Sequence, residues 1–356
     1  MKPSLLEFII CPICKSRFHL SISMRLDNEI IKGILYCNNN HQFKITKGIP
    51  RLVVSKIRQF IDTENAFSAK WNKFNKDFLD KSWYERDRKW FLNRYGWKNQ
   101  SRLDKFLSDK RIILDAGTGI GNSAKLLAKN CVVFAIDASS SVDYAFDKFG
   151  KDNNIHFIQA DLRQLPFGKN MFDYINSDQV LHHTIDAQSS FKYLIQYLKK
   201  SGYISFYVYK KKGPIREFSD GFIRNHTVKM DVKHCLDICR QITFFAKSLS
   251  NIKAKIKIEK DIPILRIKRG SYDLQRFIHW NFMKCYWSED NDFQRSLGNN
   301  FDWYFPRLAS HHTPQEVRSW CKVHNMKIIN FQEIYSGISV LARKPNNVKR
   351  NLRINE

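Results

Sequence analysis

Three carboxylates, three glycines and a cysteine–histidine grouping are the residues of this sequence whose types and spacing can do chemistry. Asp115, Gly117, Thr118, Gly119 and Gly121 form the run Asp-Ala-Gly-Thr-Gly-Ile-Gly directly after the apolar stretch Ile112-Ile113-Leu114. Alternating glycines let backbone turn tightly and come close to a ligand, and Asn122 or Ser123 can cap a helix that opens there. Such a turn binds nucleotides. Asp137 closes a second apolar stretch about twenty residues further on, where a carboxylate can accept from two ribose hydroxyls. Asp161 closes a third, residues 155–160, and a fourth, 172–176, leads into Ser177, Gln179, His182 and His183. Histidine titrates near neutral pH, so His182 and His183 are candidates for proton transfer, and Gln179 for orienting a substrate. A packed structural role for either histidine stays open, as does a loop role for His311 and His312 further on.

Cys11, Cys14, Cys37 and His41 have the spacing CxxC followed by CxxxH. Paired ligands on two turns of a hairpin suit a tetrahedral zinc ion, and four protein ligands leave no position open for catalysis. The expected role is structural, because a segment of about fifty residues has little core of its own and a metal supplies the missing stability.

The elements that must carry these residues are legible in the pattern. Strands at 111–114, 132–136, 155–160 and 172–176 bring four carboxyl ends to one crevice, and 202–209 reads as a fifth strand. Thr313-Pro314-Gln315-Glu316 is a capping box with proline at the first helical position, and two strands, 326–335 and 337–343, follow as a hairpin. Residues 56–109 are dense in aromatics, and Phe67, Trp71, Phe74 and Phe78 share one helical face; that face packs on the core or closes as a lid over a ligand. Between the fifth strand and the Thr313 helix lie about a hundred residues, 211–312, with helical spacings at 235–245 and 274–283 and a strand-like alternation over 252–258.

In this order the residues resemble the class I S-adenosylmethionine-dependent methyltransferases. The resemblance covers roughly residues 110–210 and the closing helix and hairpin, and separates the chain from dinucleotide dehydrogenases. It implies an α/β fold: a Rossmann-like seven-stranded sheet with an N-terminal zinc ribbon, a helical lid and a cap insertion after the fifth strand. It implies S-adenosylmethionine as donor, with Asp115, Gly117, Thr118, Gly119 and Gly121 at its methionine end, Asp137 and Ala138 at the ribose, and Asp161, Leu162 and Ser177 around the adenine and the crevice. The expected division is 1–55 ribbon, 56–109 lid, 110–210 donor core, 211–312 substrate cap, 313–345 remainder of the core and 346–356 flexible basic tail.

The ribbon resembles that of a ribosomal-RNA guanine methyltransferase family, which implies an RNA acceptor. A second likeness, to a less characterised group of bacterial methyltransferases, spans the cap through the 270–277, 300–307 and 311–314 segments and implies a small or carrier-borne metabolite accepting at oxygen or nitrogen. A third possibility is a non-catalytic module that keeps the fold as an activator. The formal charge of +26, from 60 Lys and Arg against 34 Asp and Glu, attracts phosphates, yet the basic residues are spread over every region and no single patch emerges. Eight cysteines suit reduced thiols or metal ligands, and no apolar run has the length of a membrane span, so a cytoplasmic location is the expectation.

Overall fold

A computed structural model describes residues 1–78, 81–290 and 292–346, side chains over 75–83 excepted. The Phe78 and Trp83 side chains of the expected lid, and residues 347–356 of the expected tail, lie outside the described residues. The N-terminal segment is an antiparallel sheet of β1 (Phe18–Leu26), β2 (Glu29–Cys37), β3 (Gln42–Thr46) and β4 (Ile49–Pro50) in that order. Phe43 and Ile45 alternate inward along β3 and face solvent-side lysine and threonine on the other side, the period-two pattern of a half-buried strand. α1 (Arg58–Phe78), α2 (Lys81–Arg94) and α3 (Gln100–Leu107) follow, α3 being capped by the Asn99 side chain on the Arg102 N–H.

Next comes the alternating unit β5 (Ile112–Ala116), α4 (Asn122–Leu127), β6 (Val132–Asp137), α5 (Ser141–Phe149), β7 (Ile155–Gln159), β8 (Phe172–Ser177), α6 (Ala187–Leu194) and β9 (Leu198–Tyr209). The insertion holds α7 (Pro214–Thr227), α8 (Val232–Asn251), β10 (Lys255–Ile258), β11 (Gly270–Asp273), α9 (Leu274–Asn281) and α10 (Phe293–Tyr304). α11 (Pro314–Val323), β12 (Lys327–Glu333) and β13 (Gly337–Arg343) close the chain, and α11 carries the expected capping box between Thr313 and Glu316. The main sheet has the order β12-β13-β9-β8-β5-β6-β7; β5 to β9 run parallel, and β13 enters antiparallel between β9 and β12. Strands buried on both faces must be apolar throughout, which is why Ile113, Leu114, Val133, Phe134, Ala135 and Ile136 are all fully covered.

Two strand boundaries differ from the pattern. β9 begins at Leu198 rather than 202, because Ser201 turns through a left-handed φ of 62° and a register shift between Phe172 and Tyr174 accommodates three extra residues on β9. The alternation at 252–258 yields a strand only from Lys255, since α8 runs on to Asn251 and Lys253 reverses the chain at φ 52°; its partner is β11.

The ribbon has no separate interior. Leu5, Ile9, Phe18, Ile30, Leu35 and Phe43 belong to the same buried cluster as Phe134, Ile136, Ile158 and Phe172 of the main sheet. The Phe8 ring lies 5.1 Å from that of Phe134, the Leu52 N–H donates to the Gln159 carbonyl at 2.7 Å and the Ile10 N–H to that of Pro166 at 2.9 Å. Arg51 forks onto the Asp143 carboxylate at 3.0 and 2.6 Å, so the ribbon extends the β7 edge and covers it. One shared core predicts one cooperative transition: Phe134→Ala should cost about 3–5 kcal/mol in urea unfolding and lower hydrogen-exchange protection in residues 18–50 as well as in β6. Protection of the ribbon that stays at its wild-type level would contradict the shared core.

Candidate active site

The glycine run folds as a left-handed loop off the end of β5, with φ of 86°, 56° and 82° at Gly117, Gly119 and Gly121. A Cβ at Gly117 would sit 2.3 Å from the Val180 side chain, so only glycine fits both the backbone angle and the space. The N–H groups of Gly117 and Thr118 both donate to the Ile136 carbonyl at 2.8 Å, which curls the loop back over β6. Asp115 is 1% exposed, and its carboxylate accepts from Asn176 Nδ2 at 2.7 Å and Ser123 Oγ at 2.8 Å. Burial pushes its carboxyl up while the hydrogen bonds from Thr118, Asn176 and Ser123 pull it back.

Asp137 Oδ2 accepts from the Gly119 N–H at 2.9 Å, and Oδ1 from the Ser139 N–H and hydroxyl at 2.9 and 2.6 Å. A carboxylate offers about four acceptor positions, so the chain's own groups take three, and a ribose hydroxyl pair must share Oδ2 or displace Ser139. Asp161 is 2% exposed and fully engaged by Arg163, whose Nε and Nη2 donate at 3.0, 3.1 and 2.6 Å.

A cavity of about 630 Å³ opens above these strand ends, within the size range of small-molecule sites. Thr118, Gly119, Asp137, Ala138, Asp161 and Leu162 line it together with Gly117, Gln179 and His183. Phe60, Glu64, Phe67 and Trp71 of α1 form one wall, Tyr84, Asp87 and Trp90 of α2 another, and Trp280, Tyr286 and Trp303 of the insertion a third. The aromatic face of α1 is therefore divided: Phe67 and Trp71 reach the cavity, while Phe74 is fully buried against Phe301 of α10, their rings 6.2 Å apart.

Four residues expected at the site do not line the cavity. Asp115 is buried at the end of β5, Gly121 is the buried last glycine of the loop where α4 begins, Ser177 is buried with its hydroxyl on the Ala116 carbonyl at 3.2 Å, and His182 is fully covered, its ring 3.7 Å from that of Tyr209. Burial holds His182 well below the ordinary histidine range, and neither of its ring nitrogens has a partner among the described residues, so this imidazole is a packed neutral group. His311 and His312 also lie off the cavity, His311 on Glu217 at 2.7 Å and His312 on Ser310 at 2.8 Å. His183 differs from its neighbour. Its Nδ1 donates to the Leu308 carbonyl at 2.7 Å, which leaves Nε2 as the lone-pair nitrogen, and burial brings its pKa down to about 4.

Sequence reasoning passed over Asp178, Arg94 and Tyr95. Asp178 follows β8 directly and lines the cavity; it accepts from Tyr95 Oη at 2.7 Å and from Arg94, a 1% exposed guanidinium stacked on Trp90. A carboxylate one residue past a strand end was the available signal, though its partners come from α2. Glu64 and Asp87 were missed as well; both carboxyls are pushed up, first by burial and then by neighbouring carboxylates, Asp87 to about 6.

The Cys11, Cys14 and Cys37 sulfurs and a ring nitrogen of His41 lie within 4.8 Å of one another, with Cys14–Cys37 at 3.6 Å, Cys37–His41 Nδ1 at 3.4 Å and Cys11–His41 Nδ1 at 3.6 Å. Ligand bonds of about 2.0–2.3 Å in a tetrahedron put ligand atoms roughly 3.3–3.8 Å apart, so this donor set fits a zinc ion. No other group of three or more such residues close enough to hold one metal ion occurs among the described residues.

Residues 114–206 match the profile of a methyltransferase domain family. The chain is similar to phosphoethanolamine N-methyltransferase 2 of Caenorhabditis elegans, at 26% identity over 51% of this chain and 46% of that protein. It is similar also to malonyl-[acyl-carrier protein] O-methyltransferase of a Marinomonas species, at 28% identity over 28% of this chain and 38% of that protein. The chain thus spans less than half the length of each of these two curated relatives. Among solved structures, magnesium protoporphyrin IX methyltransferase of Synechocystis aligns over 82% of this chain and 100% of its own at 12% identity and a TM-score of 0.42. Residues 114–206 thus match a methyltransferase domain family, and the strands β5 to β9 on which the match falls belong to the seven-stranded sheet that β12 and the antiparallel β13 complete.

Proposed function

We propose that this chain is an S-adenosylmethionine-dependent methyltransferase that moves a methyl group to an oxygen or nitrogen nucleophile of a small or carrier-borne metabolite. The observation that carries this is the convergence of the glycine loop, Asp137, Ala138, Asp161 and Leu162 on one cavity walled by α1, α2 and the insertion. The names of the two relatives, one acting on phosphoethanolamine and one on a malonyl group borne by a carrier protein, agree with it. The donor supplies a methyl carbon made electrophilic by its sulfonium. The chain's part is to hold the donor by the glycine loop and Asp137, to align the acceptor, and to exclude water. Asp115 serves by anchoring the base of the loop, Gly121 by the left-handed turn that leads it into α4, and Ser177 by its bond to the Ala116 carbonyl. Asp178, held by Arg94 and Tyr95, is the carboxylate we assign to the donor's cationic end. His183 is the proton acceptor we assign, through Nε2; Gln179, at a left-handed φ of 62°, borders the same space and orients the acceptor.

The proposed division is ribbon 1–55, lid 56–109, donor core 110–210, cap 211–312 and closing elements from 313. No ribbon residue lines the cavity among the described residues, which favours an architectural zinc ribbon over an RNA-holding one. No helix among the described residues is long and apolar enough to cross a membrane. The reading is tested by incubating the protein with labelled donor and separate metabolite and RNA fractions; label confined to RNA would sink the metabolite acceptor.

Asp137→Ala should weaken binding of S-adenosylhomocysteine by roughly 1–3 kcal/mol in calorimetry; unchanged affinity would remove Asp137 from the donor site. Elemental analysis should find one zinc per chain, and Cys37→Ser should lose it together with the ribbon's exchange protection. The His183 pKa of about 4 lies below the ordinary unfolded value, so the unfolded chain takes up this proton first. The stability it confers is complete above about pH 6.5 and is lost as pH falls toward 4, on the order of 1–3 kcal/mol. His183→Asn should flatten that part of the urea-midpoint profile between pH 7 and 4; an identical profile would show that His183 is not the group responsible.

A further inference from the structure

The two sides of the cavity differ in charge. On the strand-end side stand Asp137, Asp161 and Asp178; on the insertion side stand Lys212, Arg216 and Lys284. Not all of these charges are free to act on a ligand. Arg216 is 1% exposed and paired with Asp220, and it also donates to the His279 carbonyl. Asp302, an acid of the insertion itself on α10, also lines the cavity and pairs with Lys70 of α1 at 2.9 Å. Glu217 accepts from the Lys212 backbone N–H and from His311.

What remains is two ammonium groups with no carboxylate at ion-pair distance among the described residues. Lys212 is 6% exposed, and its Nζ donates only to neutral acceptors, the carbonyls of Lys210 at 2.8 Å and Ser336 at 3.1 Å. Lys284 Nζ stands over the rings of Trp303 and Tyr286, 5.1 and 5.4 Å from their centroids, with no ion pair to a carboxylate among the described residues. His279, which also lines the cavity, is 1% exposed with an Nδ1 that has no partner among the described residues. Burial and the positive charge of Arg216, against the weaker opposing pull of Asp302 and Asp220, bring the Lys284 pKa down to about 8; burial, Arg216 and Lys210, against Glu217, lower that of Lys212. Burying an ammonium without a counter-charge costs several kcal/mol. A fold that keeps one buried and one half-buried ammonium on one cavity wall, beside aromatic rings, is arranged for an anion that arrives with a ligand.

We infer that the acceptor substrate is an oxyanion-bearing metabolite, its carboxylate or phosphate seated between Lys212 and Lys284 and its body against Trp280 and Trp303. The inference rests on the reading of the cavity as the methyl-transfer site and adds the substrate's charge class to it. The charged end sits on the cap, so the nucleophile lies on the opposite end of the substrate, toward His183 and the donor. A phosphate and a carboxylate share this chemistry, and the probes separate them.

The test is calorimetric titration of the whole protein with benzoate, with phenyl phosphate and with neutral benzamide, without donor. At least one anion should bind saturably and at least tenfold more tightly than benzamide, and the tighter of the two identifies the oxyanion. Lys284→Met, and separately Lys212→Met, should weaken that anion at least tenfold while leaving S-adenosylhomocysteine affinity within twofold. Anions that bind no better than benzamide, or anion affinity unchanged in both variants, would overturn the inference. Failure of the wild type to bind S-adenosylhomocysteine while it binds the anion would instead strike the methyl-transfer reading and leave the oxyanion seat standing.

Discussion

The buried carboxylate of Asp115 joins the parts that everything else is mounted on. It sits at the end of β5 and takes one hydrogen bond from Asn176 on β8 and another from Ser123 on α4. Asn176 in turn accepts from Ser205 on β9, whose hydroxyl meets that of Tyr174 at 2.5 Å. Three strands and a helix are thus tied by one polar chain inside an apolar sheet, where each bond is strong because water is absent and each omission would leave an orphaned group. The glycine loop leaves β5 immediately beyond this knot. Its course is held from below by Asp115 and from the side by the Ile136 carbonyl and the Asp137 carboxylate.

That arrangement separates residues that shape the site from residues that meet a ligand. Asp115, Gly121 and Ser177 do the first, and Asp137, Thr118 and Gly119 stand on the cavity itself. The adjacent histidines divide in the same way: His182 fills the core beside Tyr209, while His183 keeps one nitrogen bonded and the other available. The two rings lie 4.2 Å apart on a short 3-10 turn and both approach Tyr209, yet only His183 borders the cavity, so a single pair supplies one packing group and one polar wall residue.

The accessory parts follow from the sheet's needs. A parallel sheet requires cover on both faces and at its edges, and the ribbon supplies cover beyond β7 through shared core residues and the Arg51–Asp143 pair. The cavity face is covered by α1, α2 and the insertion, which bring aromatics and charge where the strands bring carboxylates. Phe218 and Phe222 on α7 are 76% and 60% exposed, so this face of the insertion is left open by the described residues.

Local patterns were enough to place the glycine loop, the acidic strand ends, the capping box at Thr313 and the four metal-ligand candidates, because each of these depends on residues within a few positions of one another. The periodicity of the core strands was legible for the same reason. The partners of Asp178, the isolation of His182 and the unpaired ammonium groups of Lys212 and Lys284 were not, since Arg94, Tyr209, Trp280 and Trp303 lie far away in the chain and meet them only after folding. Sequence alone determined which backbone could cradle a nucleotide. Tertiary structure decided which charges were neutralised by neighbours and which were left facing the cavity, because desolvation and pairing are properties of a place and not of a residue type.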